Sequence, residues 1–262
     1  MRAIQMTEFG GPEVLELVEL PRPQPGPDEV LIHVSRAGLN FADTHTRTNS
    51  YVRKATLPLV PGGEVAGVRE DTGERVVALT GDGGYAEYAL APRELAFPVP
   101  DELDDGTALA LVIQGTTAWH LYRTAARVAE GESVVVHSAA GGVGSLAVQL
   151  GRPLGAGRVI ATASSAEKRS LALELGADVA IDSAPDGLTE RLSEANGGKP
   201  VDVVFDMAGG AAFDASYAAL AHFGRIVVCG IATQEPNDVR TGSLLRHSRA
   251  VIGFYLFHCF ER

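Results

Sequence analysis

The pattern of apolar and polar positions changes character near residue 105. Before it lie short β-like runs at residues 30–34 (VLIHV), 64–68 (EVAGV) and 75–79 (RVVAL). Turn residues punctuate them: Pro21, Pro23, Pro25, Gly26, Pro27, Pro58, Pro61, Gly62 and Gly63. Short strands separated by such chemistry predict an all-β or partly open, barrel-like domain. From Asp105 onward, DGTALALVIQGTTAWHLY spaces its apolar residues at helical intervals, with an interruption near Gly115. Trp119 and Tyr122 are expected in the core of that helical stretch. This change of pattern divides the chain into domains of residues 1–115 and 116–262.

The second part is organised around SVVVHSAAGGVGSLAVQL, residues 133–150. Val134, Val135, Val136 and His137 show no period of two, as suits a strand buried on both faces of a parallel sheet. Small residues come next, and then an apolar helical pattern through Val148. A strand, a glycine-rich turn and a helix in that order make a dinucleotide-binding unit. The lack of bulk lets backbone N–H groups approach a pyrophosphate, which then sits on the positive end of the helix. The fingerprint here reads Ala139-x-Gly141-x-x-Gly144, so an alanine replaces its first glycine. A turn that serves packing alone would carry the same glycines. Repetition of the unit downstream favours the nucleotide site: further strands are predicted at 158–163, 179–181, 201–205, 225–229 and 250–256. The helix after the second strand runs to Gly176, a C-terminal stop. Six strands with intervening helices predict a complete doubly wound sheet, hence an α/β protein.

Composition narrows the function. The 262 residues are 45% hydrophobic and 21% charged, as in a soluble globular chain. A net charge of −11 without a local Lys/Arg cluster argues against nucleic acid as a partner. The opening MRAIQMTEFGG has no apolar signal core, and no apolar run reaches membrane length. A cytoplasmic protein without a membrane partner is expected. Cys229 and Cys259 are too few for a disulfide framework or a zinc knot.

Six spaced motifs carry a resemblance over essentially the whole chain: MRAIQMTEFGGPEVL, GLNFADTHTRTNSY, LPLVPGGEVAGV, GGYAEY, QGTTAW and AAGGVG. Together they resemble the zinc-independent quinone oxidoreductases (zeta-crystallin-like) of the medium-chain dehydrogenase/reductase superfamily. The resemblance implies a GroES-like β domain carrying the substrate cleft, joined to a Rossmann domain. Such proteins continue past the last Rossmann strand with a segment that returns to the GroES-like domain. This chain ends at Phe260-Glu261-Arg262, so that return segment is expected to be missing.

The superfamily's zinc alcohol dehydrogenases place a Cys where Asn40 stands and a His where Gly63 stands. The seven histidines (33, 45, 120, 137, 222, 247 and 258) form no H-x₃-H pair, and no metal is expected. Without a Lewis acid, hydride transfer from a nicotinamide needs an acceptor that is already electrophilic. A quinone or an α,β-unsaturated carbonyl qualifies, and a saturated alcohol is a poor candidate.

An NAD site places Asp or Glu at the tip of the second strand. Here the tip is Ala163-Ser164-Ser165, with Lys168 and Arg169 shortly after it. Hydroxyls and cations suit a 2′-phosphate, which predicts NADPH. The resemblance also puts the phosphate on Lys168, and replaces by Ser183 a tyrosine that the family carries after the third strand. It implies that Ala140, Gly141, Gly142, Val143 and Gly144 cradle the pyrophosphate and that Thr117 lies near the ribose-phosphate. Gly230 comes after the fifth strand where backbone approaches the cofactor, and Asn40 stands beside the nicotinamide end.

Asp43 and Tyr51 match polar residues near the substrate cleft, and His45 stands where the family often has Tyr. Two roles are open to His45: donating a proton to the product, or shaping the cleft and accepting a hydrogen bond. Asp43 has an alternative as the N-cap of the segment after it. The last strand, AVIGFYLF, lacks gatekeeper charges between Arg249 and Glu261. An edge of this kind predicts a homodimer through antiparallel pairing from Val251 to Leu256. Two other functions fit the same motifs: a non-redox tailoring enzyme (cyclase or dehydratase), and a non-catalytic NADPH-binding protein.

Overall fold

Alternate strand residues facing a common core build the first part of the chain. The computed structural model describes residues 1–260 and forms two compact units, Met1–Ile113 and a second from Gln114 onward. In the first unit, β1 (Arg2–Gln5) and β2 (Glu16–Glu19) pair as an antiparallel ribbon. The main sheet contains β3 (Glu29–Ala37), β4 (Glu64–Arg69), β5 (Arg75–Leu79), β6 (Tyr88–Pro92) and β7 (Ala96–Pro98). Its order is β6-β3-β4-β5-β7, with every neighbouring pair antiparallel. Val30 and Ile32, Val76 and Ala78, and Ala89 and Ala91 sit two apart on their strands and point into one core.

One feature of this sheet positions the site residues. The β3–β4 register shifts between Val34 and Arg36. Such a bulge bends the end of a strand and re-aims the chain beyond it. That chain is Gly38-Leu39-Asn40, leading into the helix α1 (Phe41–Arg47). After β7, α2 (Asp105–Ala110) is capped by the Asp104 carboxylate, which accepts the N–H groups of Gly106 at 2.9 Å and Thr107 at 3.1 Å.

The helical stretch from residue 105 is not one helix. A π-helical turn at Leu111–Gly115 precedes α3 (Thr116–His120), and a second comes after it at Leu121–Ala125. Tyr122 is buried as expected, with its hydroxyl donating to the Ala147 carbonyl at 2.8 Å and its ring edge-on to Phe205. Trp119 is 45% exposed, against expectation. The π turns break the 3.6-residue period on which that expectation rests.

The second unit is a doubly wound sheet. It contains β8 (Ser133–Val136), α4 (Gly142–Gly151), β9 (Arg158–Ala163), α5 (Ala166–Glu174), β10 (Val179–Asp182) and α6 (Leu188–Ala195). It continues with β11 (Val201–Asp206), α7 (Gly210–Ala219), β12 (Leu220–Val228), α8 (Thr241–His247) and β13 (Ala250–Gly253). The order is β10-β9-β8-β11-β12-β13, all parallel. Both faces are covered: Val134, Val136, Val159 and Ala161 pack on one side, and Val135 and Ile160 on the other. That double burial explains the unbroken apolar runs of the sequence.

The final strand is shorter than expected. β13 stops at Gly253, and Leu256–Cys259 forms a 3₁₀ turn. Past Gly253, the Phe254 N–H still donates to the Val228 carbonyl of β12 at 2.9 Å while its ring stacks on His120, and Leu256 is buried.

Candidate active site

In the first unit the expected acceptor residues gather around the start of α1. Asn40 is the N-cap, and its backbone N–H donates to the Asp43 carboxylate at 2.9 Å. Asp43 is therefore the third helical residue closing a capping box, not the N-cap itself. The same carboxylate accepts the Tyr85 hydroxyl at 2.6 Å. The side-chain nitrogen of Asn40 donates to Glu64 Oε1 at 2.8 Å, and the Ile113 N–H donates to Glu64 Oε2 at 2.9 Å. Glu64 is 2% exposed. Burial pushes both the Glu64 and the Asp43 carboxyl above the ordinary range. Repulsion from Asp43 adds to the rise at Glu64, and repulsion from Asp82 to that at Asp43. Burial and the Asp43 carboxylate push the Tyr85 hydroxyl up as well, so it remains a donor.

His45 lies on the same helix and is 2% exposed. Its Nδ1 is 3.1 Å from the Ser50 hydroxyl, and its ring stacks on Tyr51 with centroids 6.0 Å apart. Phe41 meets it edge-on. Burial lowers its pKa, which favours the neutral ring. Asn40, Asp43, His45 and Tyr51 thus share one end of the unit. Sequence reasoning missed Glu64 and Tyr85. They stand inside the motifs LPLVPGGEVAGV and GGYAEY, and for Glu64 the available signal was a carboxylate opening an apolar strand.

In the second unit the expected cofactor residues lie beyond the C-terminal ends of parallel strands. This is where open α/β sheets bind ligands, and β8, flanked by β9 and β11, marks the switch point. The turn after β8 passes through Ser138 with φ of 49° and reaches Gly141, the N-cap of α4. Gly142, Val143 and Gly144 begin the helix, so their N–H groups belong to its unpaired first turn. A Cβ on Gly144 would lie 2.2 Å from the Ser138 carbonyl oxygen, so only glycine lets α4 sit this close to the turn. At Gly230 a Cβ would lie 2.8 Å from the Met207 carbonyl oxygen. Ala140 is half-buried in the turn, and Thr117 is buried on α3. These residues fit a pyrophosphate cradle.

Behind the cradle, the buried His137 ring meets Thr162 Oγ1 at 2.8 Å and Ser216 Oγ at 2.7 Å. It is a satisfied interior residue.

At the tip of β9, Ser164 is exposed, and the Ser165 hydroxyl caps α5 by accepting the Lys168 N–H at 3.3 Å. The Lys168 side chain is exposed. Ser183, just past β10, donates its N–H to the Ala163 carbonyl at 3.3 Å. Arg169 donates to the same carbonyl and to Asp182.

Residues 26–101 match the family described as alcohol dehydrogenase GroES-like domain, and residues 142–262 match zinc-binding dehydrogenase. Human quinone oxidoreductase is 34% identical over 268 residues, 98% of this chain and 80% of its own length. The chain belongs to the quinone oxidoreductase family of the medium-chain dehydrogenase/reductase superfamily. Among solved structures, a mycobacterial protein complexed with NADPH is 38% identical, with a TM-score of 0.91 over 98% of this chain and 83% of that one. Escherichia coli quinone oxidoreductase complexed with NADPH is 31% identical, with a TM-score of 0.91 over 98% and 82%. The expected α/β architecture, a GroES-like sheet and a Rossmann sheet, is that of this family.

The zinc named in one family description does not fit the residues present. Among the described residues no three His, Cys, Asp or Glu side chains gather as a metal site. Asn40 commits its amide nitrogen to Glu64, and Gly63 has no side chain to offer. Among the described residues no helix is long and apolar enough to cross a membrane.

Proposed function

We propose that the protein is an NADPH-dependent reductase that transfers hydride to a quinone or an α,β-unsaturated carbonyl without a catalytic metal. One observation carries the reading: a glycine cradle at the switch point combined with a strand tip that bears hydroxyls and a cation in place of a carboxylate. The NADPH complexes of the mycobacterial and Escherichia coli proteins support it.

In this reading the N–H groups of Gly142, Val143 and Gly144 bind the pyrophosphate, and Ser164, Ser165 and Lys168 take the 2′-phosphate. Ala140, Gly141 and Gly230 give room for close backbone approach, and Thr117 and Ser183 line the cofactor's path. Bound NADPH supplies a hydride. Asn40 and Tyr51 orient the acceptor, and Asp43 holds the Tyr85 hydroxyl and the start of α1 in place. The neutral, buried His45 supports the Tyr51 ring by stacking, a shaping role instead of proton donation. The product oxygen takes its proton from solvent, as a stabilised quinol or enolate permits. A homodimer would form by pairing the edge strand β13 with its twin.

The test is NADPH oxidation with 1,4-benzoquinone before and after exhaustive chelation. Turnover that survives chelation supports the reading. Loss on chelation and recovery with Zn²⁺ contradicts it.

A further inference from the structure

We propose that His45 decides acceptor specificity: its Nε2 is a buried hydrogen-bond acceptor that selects unsaturated carbonyls bearing a hydroxyl group. The inference rests on the reading of this end of the first unit as the acceptor pocket. His45 is 2% exposed, and among the described residues nothing hydrogen-bonds its Nε2. Buried polar atoms are normally paired, so an unpaired one among proposed site residues marks a place for a ligand atom.

The hydroxyls on the other side of the ring determine what that atom must be. Burial favours the neutral imidazole, which has one N–H and one bare nitrogen. Nδ1 is 3.1 Å from Ser50 Oγ, which is 2.8 Å from Thr48 Oγ1. Thr48 Oγ1 lies 3.2 Å from the Thr44 carbonyl oxygen and 3.3 Å from that of His45, and a carbonyl oxygen only accepts. With the ring proton on Nδ1, three hydrogen bonds run in series: Nδ1–H to Ser50, Ser50 to Thr48, and Thr48 to a carbonyl. With the proton on Nε2 the series reverses, only two bonds form, and a buried N–H is left unpaired. The first arrangement wins on both counts. Nε2 therefore carries a lone pair and accepts.

A lone pair favours some ligands over others. A simple quinone offers only carbonyl oxygens, which cannot donate to it. An enone with a hydroxyl across the ring supplies the missing donor. Phe41 meets the imidazole edge-on with centroids 5.4 Å apart and is itself 63% exposed. Its ring is the cover that such a ligand displaces, while Tyr51 stacks on the imidazole face.

Two enones that differ by one hydroxyl, 4-hydroxycyclohex-2-enone and cyclohex-2-enone, test this with NADPH. The hydroxyl also alters the reactivity of the enone, so the ratio of their kcat/KM values is compared between proteins. His45→Phe, which keeps a buried aromatic ring, should lower the ratio about tenfold, the worth of one hydrogen bond. His45→Gln, whose amide oxygen can accept at similar reach, should recover part of the loss. In the unchanged protein, ¹⁵N NMR of the histidine rings, with His45 assigned by comparison with His45→Phe, should show the proton on Nδ1. Ser50→Ala should abolish that preference and lower the ratio. A proton on Nε2 in the unchanged protein, or the same ratio in the unchanged protein and His45→Phe, would overturn the inference and leave the reductase reading intact. An unchanged protein that oxidises NADPH with neither enone nor 1,4-benzoquinone overturns that reading and the inference with it.

Discussion

Arg169 donates to the Asp182 carboxylate at 2.9 Å, with the Ala163 carbonyl accepting from the same nitrogen at 3.0 Å. One of the two cations after β9 is thereby committed to tying α5 to the ends of β9 and β10. Lys168 is left exposed, and among the described residues no ion pair holds it.

Lys168 and Arg169 should therefore respond differently to truncation. Lys168→Ala should weaken NADPH about tenfold, the worth of one charge-assisted contact to phosphate, and leave NADH unchanged. Arg169→Ala should lower the melting temperature with little change in the NADPH-to-NADH affinity ratio. Calorimetric titration of both nucleotides, with thermal melts, separates the two outcomes. The reverse assignment would place the 2′-phosphate elsewhere.

Two glycines of the cradle should also differ. A Cβ at Gly144 meets the Ser138 backbone oxygen at 2.2 Å, whereas at Gly142 it meets the side chain of Gln114 at 2.4 Å. Backbone cannot yield as a side chain does. Gly144→Ala should cost about 1–3 kcal/mol of stability and abolish NADPH binding, with Gly142→Ala milder on both counts. Denaturant unfolding and nucleotide titration check this, and equal losses would contradict it.

Tyr85→Phe should carry a penalty that depends on pH. The Asp43 carboxyl already has its folded-state pKa raised by burial, and the Tyr85 hydrogen bond pulls it back down. A group with a raised folded pKa contributes stability below its unfolded pKa and loses it as pH rises through the folded value. Removing the donor lifts the folded pKa further, so the variant loses stability at neutral pH. The penalty should be about 1–3 kcal/mol at pH 7 and shrink as acidification protonates Asp43. A deficit of equal size at neutral and acid pH would show that Tyr85 does not hold the charged form.

The edge strand makes a prediction about assembly. β13 has only four residues, Ala250–Gly253, and among the described residues no partner strand on its outer side. Light scattering behind size-exclusion chromatography should return a dimer that Ile252→Lys converts to monomer. A monomeric unchanged protein would rule out the pairing.

How legible these features were in the sequence depends on how local each one is. The unbroken run at residues 134–137 and the glycines at 141 and 144 state their roles within a dozen residues, and both units emerge from such patterns. Glu64 and Tyr85 do not, because their partners Asn40 and Asp43 lie 24 and 42 residues away. The exposure of Trp119 depends on π-helical turns that periodicity does not encode. The early end of β13 reflects the turn that buries Leu256, a tertiary contact that the apolar run does not encode. At Lys168 and Arg169 the composition of the strand tip was readable, but the diversion of Arg169 to Asp182 was not.

The central claim is hydride transfer from NADPH to an electrophilic acceptor. The measurement that tests it most directly is loss of nicotinamide absorbance when purified protein meets 1,4-benzoquinone with NADPH or NADH, against enzyme-free controls. The account predicts protein-dependent turnover that is faster with NADPH. Absence of protein-dependent turnover with either nucleotide, while calorimetry still shows NADPH bound, would contradict it.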